Sequence, residues 1–288
     1  MADKQTILIT GATGNVGGGA AIALAKRGAR VVLLARKLET LEARADSIRV
    51  ALSEARIECQ DTDIATLVVD LTDMESVKLA AADAMNRFPR IHGLILSAVL
   101  IGQNAPKILP NGHEVRFATN VVGPFLFTRL LLDKMQQADG LVLQVTAPWY
   151  KEIDWDDLES INHKAMTAYE IAKTMQRAIA AELARRYAGK ISSVAFNPYF
   201  IMDKSQPEQL KRWPIFWRVL AVFLAKPPAV AGEAIADLML LYRDRAAING
   251  AYFKLDKRVE KPDKAMNDEV LGKRLWDELV LLTEPMAE

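Results

Sequence analysis

Tyr169 and Lys173 lie four residues apart in a stretch of helical character, which puts both side chains on one helix face about one turn apart. A tyrosine with an ordinary pKa near ~10 is a poor proton donor or acceptor at neutral pH, and lowering it by ~3 units takes ~4 kcal/mol. An ammonium ~4 Å away at an effective dielectric of ~20 supplies roughly that much. The pair is therefore a candidate acid/base device, although the same spacing is common as plain helix decoration. A second constellation is the run Thr10-Gly-Ala-Thr-Gly-Asn-Val-Gly17, in which Gly11, Gly14 and Gly17 recur at every third position around Ala12, Thr13, Asn15 and Val16. Glycines at this spacing permit a tight turn, close approach of backbone N–H groups to a pyrophosphate, and packing of the following helix on the preceding strand. The N-terminus of that helix adds a partial positive charge. No Lys-Ser or Lys-Thr pair follows the glycines, which excludes the phosphate loop of nucleotide triphosphatases.

These residues need elements to hold them. Thr6 to Thr10 reads as a strand and Ala20 to Lys26 as a helix, so the glycine run is the turn of a strand-turn-helix unit. Arg30 to Leu34 follows as strand, Leu38 to Ala55 as amphipathic helix and Thr66 to Val69 as strand ending at Asp70. Ser76 to Phe88, Val122 to Met135 and Ala165 to Tyr187 read as helices, alternating with strands at Ile91 to Leu96, Leu141 to Val145 and Ile191 to Phe196. Each parallel strand needs a crossover, so this alternation predicts an α/β fold: a doubly wound, parallel Rossmann sheet of about seven strands with helices on both faces. Ala251 to Leu255 is the last strand candidate, and Ala229 to Tyr242 and Asn267 to Leu282 are helical. Ala55 to Ala65 is an irregular acidic connection. No linker divides the chain, which reads as one domain over residues 1–288, with a capping segment around residues 200–228 and a C-terminal helical extension. The end of the second strand bears on the cofactor. A carboxylate there would bind the ribose diol of NAD, whereas this chain has Ala35 followed by Arg36 and Lys37, and Arg36 can pair with the 2′-phosphate of NADP. Asp70 reads either as an adenine-edge contact or as the approach to the next helix.

With these motifs in hand, the sequence resembles the short-chain dehydrogenase/reductase family along nearly its whole length. Besides the glycine turn and Tyr169-Glu-Ile-Ala-Lys173, the segment Asn120-Val-Val-Gly-Pro-Phe-Leu-Phe-Thr128 looks like the family's fourth-helix segment, whose asparagine supports a proton relay. Ile153-Asp-Trp-Asp-Asp-Leu158, Lys226-Pro-Pro, Gly250-Ala-Tyr-Phe253 and Leu275-Trp276 are similar to the retinol-dehydrogenase-like branch. The resemblance implies Tyr169 as acid/base, Lys173 as tuner of the phenol and ribose ligand, and Asn120 as support. It also implies that the cofactor meets Asp70, Leu71, Ser97, Ala98, Pro198 and Ile201. Three positions depart from the family pattern. Leu96-Ser97-Ala98-Val99 replaces Asn-Asn-Ala-Gly, Pro198-Tyr199 replaces a proline-glycine pair, with Asp203 where a threonine is common, and the carbonyl-polarising serine falls on Ala147, leaving Thr146 as the neighbouring hydroxyl. Ala147, Tyr199, Trp213 and Trp217 are the residues expected to face substrate.

Composition bounds the partners. Of 288 residues 51% are apolar, and 37 basic against 36 acidic residues leave no field suited to nucleic acid. Cys59 stands alone, so no internal disulfide forms, and it reads as an ordinary half-buried residue in a reducing compartment. His92, His113 and His163 are far apart without short-spaced carboxylate or thiol partners, so no metal is expected. No leader precedes Ile7, and Trp213 to Ala225, taken as the longest apolar candidate, is well short of the ~20 residues a membrane span needs. The reading is a cytoplasmic NADP(H)-dependent oxidoreductase acting on a carbonyl or alcohol of a bulky hydrophobic small molecule, with a homodimer left open. The alternatives are a catalytically weak NADP-binding sensor or scaffold of the same fold, or a carbon-carbon double-bond reductase.

Overall fold

In the computed structural model, residues 4–102, 105–203, 224–242, 244–256, 259–260 and 264–284 are described. The strands are β1 (Thr6–Thr10), β2 (Arg30–Ala35), β3 (Ile64–Val68), β4 (Gly93–Leu96), β5 (Leu141–Val145), β6 (Ser192–Asn197), β7 (Tyr252–Lys254) and β8 (Val259–Glu260). They form one sheet in the order β3-β2-β1-β4-β5-β6-β7-β8. The first seven run parallel, and β8 pairs antiparallel with β7 at the edge. The order reverses at β1, which lies between β2 and β4. Chains leaving these two strands part toward opposite sides of the sheet, and the crevice they leave at the carboxyl edge is where such folds take ligands.

Both faces of the sheet are covered, and the strand residues alternate between them as the pleat requires. Leu8, Val32, Leu34, Leu94 and Val142 point into one apolar layer. There they meet α3 (Met74–Arg87), α4 (Val115–Gln136), α5 (Ala165–Arg186) and α7 (Glu269–Thr283). Ile7, Ile9, Val31, Leu33 and Leu143 point into the other, against α1 (Asn15–Lys26), α2 (Leu38–Glu54) and α6 (Pro228–Leu240). Burial on both faces explains why the strands read as short continuous apolar runs rather than alternating ones.

Several boundaries differ from the sequence reading by a few residues. The helix expected from Val122 begins at Val115, because the Glu114 carboxylate caps it by accepting from the N–H groups of Arg116 and Phe117. Five residues of π-helix, Ala118–Val122, join its first turn to the regular part. The connection before β3 closes in a short 3-10 turn, Asp61–Asp63, with reciprocal caps between Gln60 and Asp63, and β3 starts earlier than expected, at Ile64. β8, only two residues long, carries no readable period. Two further expectations are corrected. Cys59 is exposed rather than half-buried. Among the described residues, the helix long and apolar enough to cross a membrane is Val115–Gln136, which lies mostly buried inside the fold. The stretch 204–223, which includes Trp213 and Trp217 and most of the expected capping segment, falls outside the described residues.

Helices α1 and α6 cross through two glycines. A Cβ on Gly232 would stand 2.2 Å from the Gly19 carbonyl oxygen, and one on Gly19 would stand 2.3 Å from that of Pro228. Gly232→Ala should therefore destabilise the fold by about 2 kcal/mol in a denaturant melt, since overpacking typically costs ~1 to 3 kcal/mol. Equal or higher stability would mean that the helices separate freely.

Candidate active site

The glycine turn leaves β1 with Gly11 at φ +64°. A Cβ there would come within 2.8 Å of the Ala98 backbone, so glycine is required for conformation and for space. Two hydroxyls lock the turn to the end of β4. Ser97 Oγ donates to the Thr10 carbonyl at 2.5 Å, and Thr10 Oγ1 accepts from the backbone N–H of Ser97 at 3.1 Å and of Ala98 at 3.3 Å. Between β1, β2, β3 and β4 lies a cavity of about 250 Å³, lined by Gly11, Thr13, Gly14, Arg36, Asp70, Leu71, Ser97 and Ala98, together with Leu100 and Thr119. Asp70 Oδ1 accepts from both the N–H and the hydroxyl of Thr72, so this carboxylate also shapes its own turn. Lys37 occupies the N-cap position of α2 without a side-chain cap and is exposed. Val16 and Gly17 form the first turn of α1, where a Cβ on Gly17 would meet the Ser97 hydroxyl at 2.5 Å. Asn15 Nδ2 reaches the Ile201 carbonyl at 3.5 Å, which ties the turn to the chain beyond β6. A glycine cradle that side chains would fill, beside a cavity with a cation at its rim, fits a dinucleotide.

Arg44 was not anticipated. Its guanidinium donates to the Thr13 carbonyl at 3.1 Å, and burial pushes its pKa down against the opposing influence of Asp203. The signal was present in the sequence, since Arg44 shares an α2 stripe with Leu41, Ala45 and Ile48, all buried. A cation on an apolar stripe has a reason to be there.

The second half of the site begins at the π-turn of α4. Asn120 is buried and clamps Leu100 with its amide: Oδ1 accepts from the Leu100 N–H and Nδ2 donates to the Leu100 carbonyl, both at 2.8 Å. Pro124, four residues on, has no N–H to give the Asn120 carbonyl. That carbonyl accepts instead from Gln176 Nε2 at 2.7 Å. Gln176 Oε1 in turn accepts from Lys173 Nζ at 2.8 Å, and the ammonium makes a second bond to the Val145 carbonyl at 3.0 Å. One polar chain thus runs from the cavity wall at Leu100 to Lys173. Gly123 lets α4 reach this position, because a Cβ there would lie 2.1 Å from the Leu71 carbonyl oxygen.

Tyr169 and Lys173 share a face of α5 as their spacing requires, with Nζ 5.5 Å from the centre of the phenol ring. The electrostatics differ from the expectation of a phenol acidified by its lysine. Burial pushes Tyr169 up to about 12. Burial, assisted by the charge of Arg177, pushes Lys173 down to about 7. Desolvation penalises the charged form of each group, and the ammonium spends its hydrogen bonds on Val145 and Gln176 rather than on the phenol. Thr146 lies at the end of β5, but its hydroxyl turns inward and donates to the Lys173 carbonyl at 3.1 Å. Ala147 is buried.

A family model for short chain dehydrogenases matches residues 5–209. The chain belongs to the short-chain dehydrogenase family. Among curated relatives, mouse retinol dehydrogenase 14 is 30% identical over 95% of this chain and 84% of its own length, and human retinol dehydrogenase 13 is 28% identical over 95% and 83%. A short-chain dehydrogenase/reductase of Armillaria gallica is 27% identical over 96% and 89%. These relatives place this short-chain dehydrogenase in the retinol-dehydrogenase-like branch. Among solved structures, an uncharacterized protein from Mycobacterium paratuberculosis superposes with a TM-score of 0.72 at 21% identity, covering 97% of this chain and 93% of that one. A Shigella flexneri structure complexed with NADP superposes with a TM-score of 0.66 at 22% identity, covering 88% and 98%. Both share the fold.

In this short-chain dehydrogenase the proline-glycine position after β6 is Pro198-Tyr199, and Tyr199 sits at φ +57° with its ring half exposed. A side chain in that region costs about 1 to 2 kcal/mol. Tyr199→Gly should raise stability by about 1 kcal/mol, read from a urea midpoint; a lower midpoint would show that ring contacts outweigh the strain. Lys173 gives a pH signature. With its pKa lowered from 10.5 to about 7, the folded chain binds fewer protons than the unfolded chain between those values, so stability rises with pH across that window. The stability of wild type relative to Lys173→Met should accordingly increase from about pH 7 to about pH 10 in thermal melts. A flat difference would show that Lys173 keeps an ordinary pKa in the fold.

Proposed function

We propose that this short-chain dehydrogenase is an NADP(H)-dependent oxidoreductase acting on a carbonyl or alcohol of a bulky hydrophobic small molecule, in the cytoplasm. The observation that carries the reading is the continuous polar chain Leu100, Asn120, Gln176, Lys173, which joins the glycine-lined cavity to the face of α5 that bears Tyr169. A nicotinamide held at this sheet edge would supply or accept a hydride. The protein's own part is the proton: the neutral phenol of Tyr169 donates to the oxygen of a carbonyl under reduction, and in the reverse direction its phenolate takes the proton from the alcohol. Lys173 stands over the phenol ring, where its charged form offsets negative charge developing on the phenol oxygen.

NADP is favoured by Arg36 at the cavity rim and by Ala35, which offers no carboxylate to repel a 2′-phosphate. An apolar substrate is favoured by the residues that remain exposed around the exits of β4, β5 and β6, namely Val99, Ile101, Trp149, Tyr199 and Leu224. The relatives named as retinol dehydrogenases agree with that class. One observation favours a second reading. The strand end that would present a carbonyl-polarising hydroxyl has Ala147, and the Thr146 hydroxyl is committed to Lys173. Losing such a donor typically costs ~3 to 4 kcal/mol in the transition state, which suits a weak catalyst that serves as a sensor, or a double-bond reductase.

The test combines fluorescence titration with NADPH and NADH and a screen of NADPH oxidation over retinoids, steroids, quinones and aryl ketones. NADPH should bind more tightly, and Arg36→Ala should reduce that preference by ~1.5 to 3 kcal/mol, the range of a charge-assisted hydrogen bond. Tyr169→Phe should abolish turnover while leaving NADPH affinity nearly unchanged. Equal affinity for the two cofactors would overturn the NADP assignment. Full turnover by the Phe variant would overturn the acid/base role and leave the second reading.

A further inference from the structure

Among the described residues, the largest side chain with no exposure to solvent is an arginine, Arg177, one helical turn beyond Lys173. A well-packed apolar residue would fill the same space without the desolvation cost of a guanidinium, so its bonds must account for it. Arg177 Nη1 donates to the Ala147 carbonyl and, at 3.3 Å, to Thr146 Oγ1; Nη2 donates to the Trp149 carbonyl at 2.9 Å. The fork therefore grips the chain just where it leaves β5 at the ligand-binding edge. Two of the gripped residues touch the proton-transfer pair. Thr146 passes its own hydroxyl hydrogen to the Lys173 carbonyl at 3.1 Å. Trp149 sets its indole edge-on against the Tyr169 ring, with centroids 6.2 Å apart.

We propose that Arg177 is the positioning residue of this site, a buried fork that fixes the β5 exit loop and through it the placement of the Tyr169 phenol and the Lys173 amine. The proposal rests on the acid/base reading of Tyr169 and deepens it. A fork suits the task because its planar donors fix two carbonyls at once, whereas a lysine would present a point charge without that geometry. Arg177 also decides which cation yields. The titratable or charged groups beside Lys173 on α5 are Tyr169 and Arg177; β5 presents to it the Val145 carbonyl, and α4 presents the Asn120 carbonyl by way of Gln176. Guanidinium groups remain charged in proteins, so the like charge falls on Lys173, adding to the burial that already favours its neutral form.

Two substitutions test the grip and the charge. Arg177→Lys loses the fork and puts in its place an amine that burial can neutralise, while Arg177→Gln keeps a planar donor and removes the cation. On the best substrate from the screen, both should lower kcat by about a hundredfold, the scale of a 1 Å misplacement, with KM within about threefold. Trp149→Ala should be non-additive in kcat with either variant, because the grip acts through Trp149. Arg177→Gln should also move the pH at which kcat falls toward the alkaline side. Wild-type kcat, additivity with Trp149→Ala and an unmoved pH limb, together with a lowered Tm, would reduce Arg177 to a structural residue and overturn the proposal. If no substrate emerges, the function reading fails separately and Arg177 is still tested by melting. The rise in stability that Lys173 gives from about pH 7 to about pH 10, measured against Lys173→Met, should shrink in Arg177→Gln. An undiminished rise in the Gln variant would overturn the influence of Arg177 on Lys173.

Discussion

A buried ammonium governs this site. Lys173 is enclosed by α5, β5 and α4, and an amine placed there must either be neutral or have its hydrogen bonds supplied by the protein. Here both effects operate. Burial brings its pKa down to about 7, and the bonds to Val145 and Gln176 hold its nitrogen over the phenol face. The surrounding architecture serves that placement: Pro124 frees a carbonyl for Gln176, and Arg177 secures the loop overhead. A tyrosine beside an exposed lysine would have neither the low dielectric nor the fixed geometry.

The same layout links the glycine-lined cavity to Lys173 through intermediate side chains. Asn120 uses its side chain on Leu100, which lines the cavity, and its main chain on Gln176, which reaches Lys173. The π-turn and Gly123 make this dual use compatible with a helix packed against Leu71. Hydrogen-bond chains of this kind rigidify a buried site because every group is satisfied only in one arrangement. Fold and family stand on the sheet order and the matched family model, whereas the proposed proton transfer rests on these few side chains.

Much of this was legible in the residues. The period of apolar runs set the alternation of strands and helices, and the glycine spacing located the turn, since glycine has a unique conformational range that no context alters. The four-residue spacing of Tyr169 and Lys173 put them on one face in advance of any tertiary information. Boundaries were less legible: Val115 to Val121 carries helix that only the Glu114 cap announces, and the two residues of β8 have no period to read.

Local covalent constraints and periodicity are properties of the chain itself, and so the sequence alone determined the element order, the phosphate-type turn, the shared face of Tyr169 and Lys173, and the absence of a carboxylate at Ala35. Burial and hydrogen-bond partnership depend on which distant segments meet. Tertiary structure alone decided that the Thr146 hydroxyl turns to Lys173 rather than to the ligand edge, that Arg44 reaches Thr13, that Arg177 is enclosed, and that the phenol is raised and the amine lowered in pKa. The sign of those shifts follows from desolvation, which is set by the packing of α4, α5 and β5 around the pair and by no residue in the pair itself.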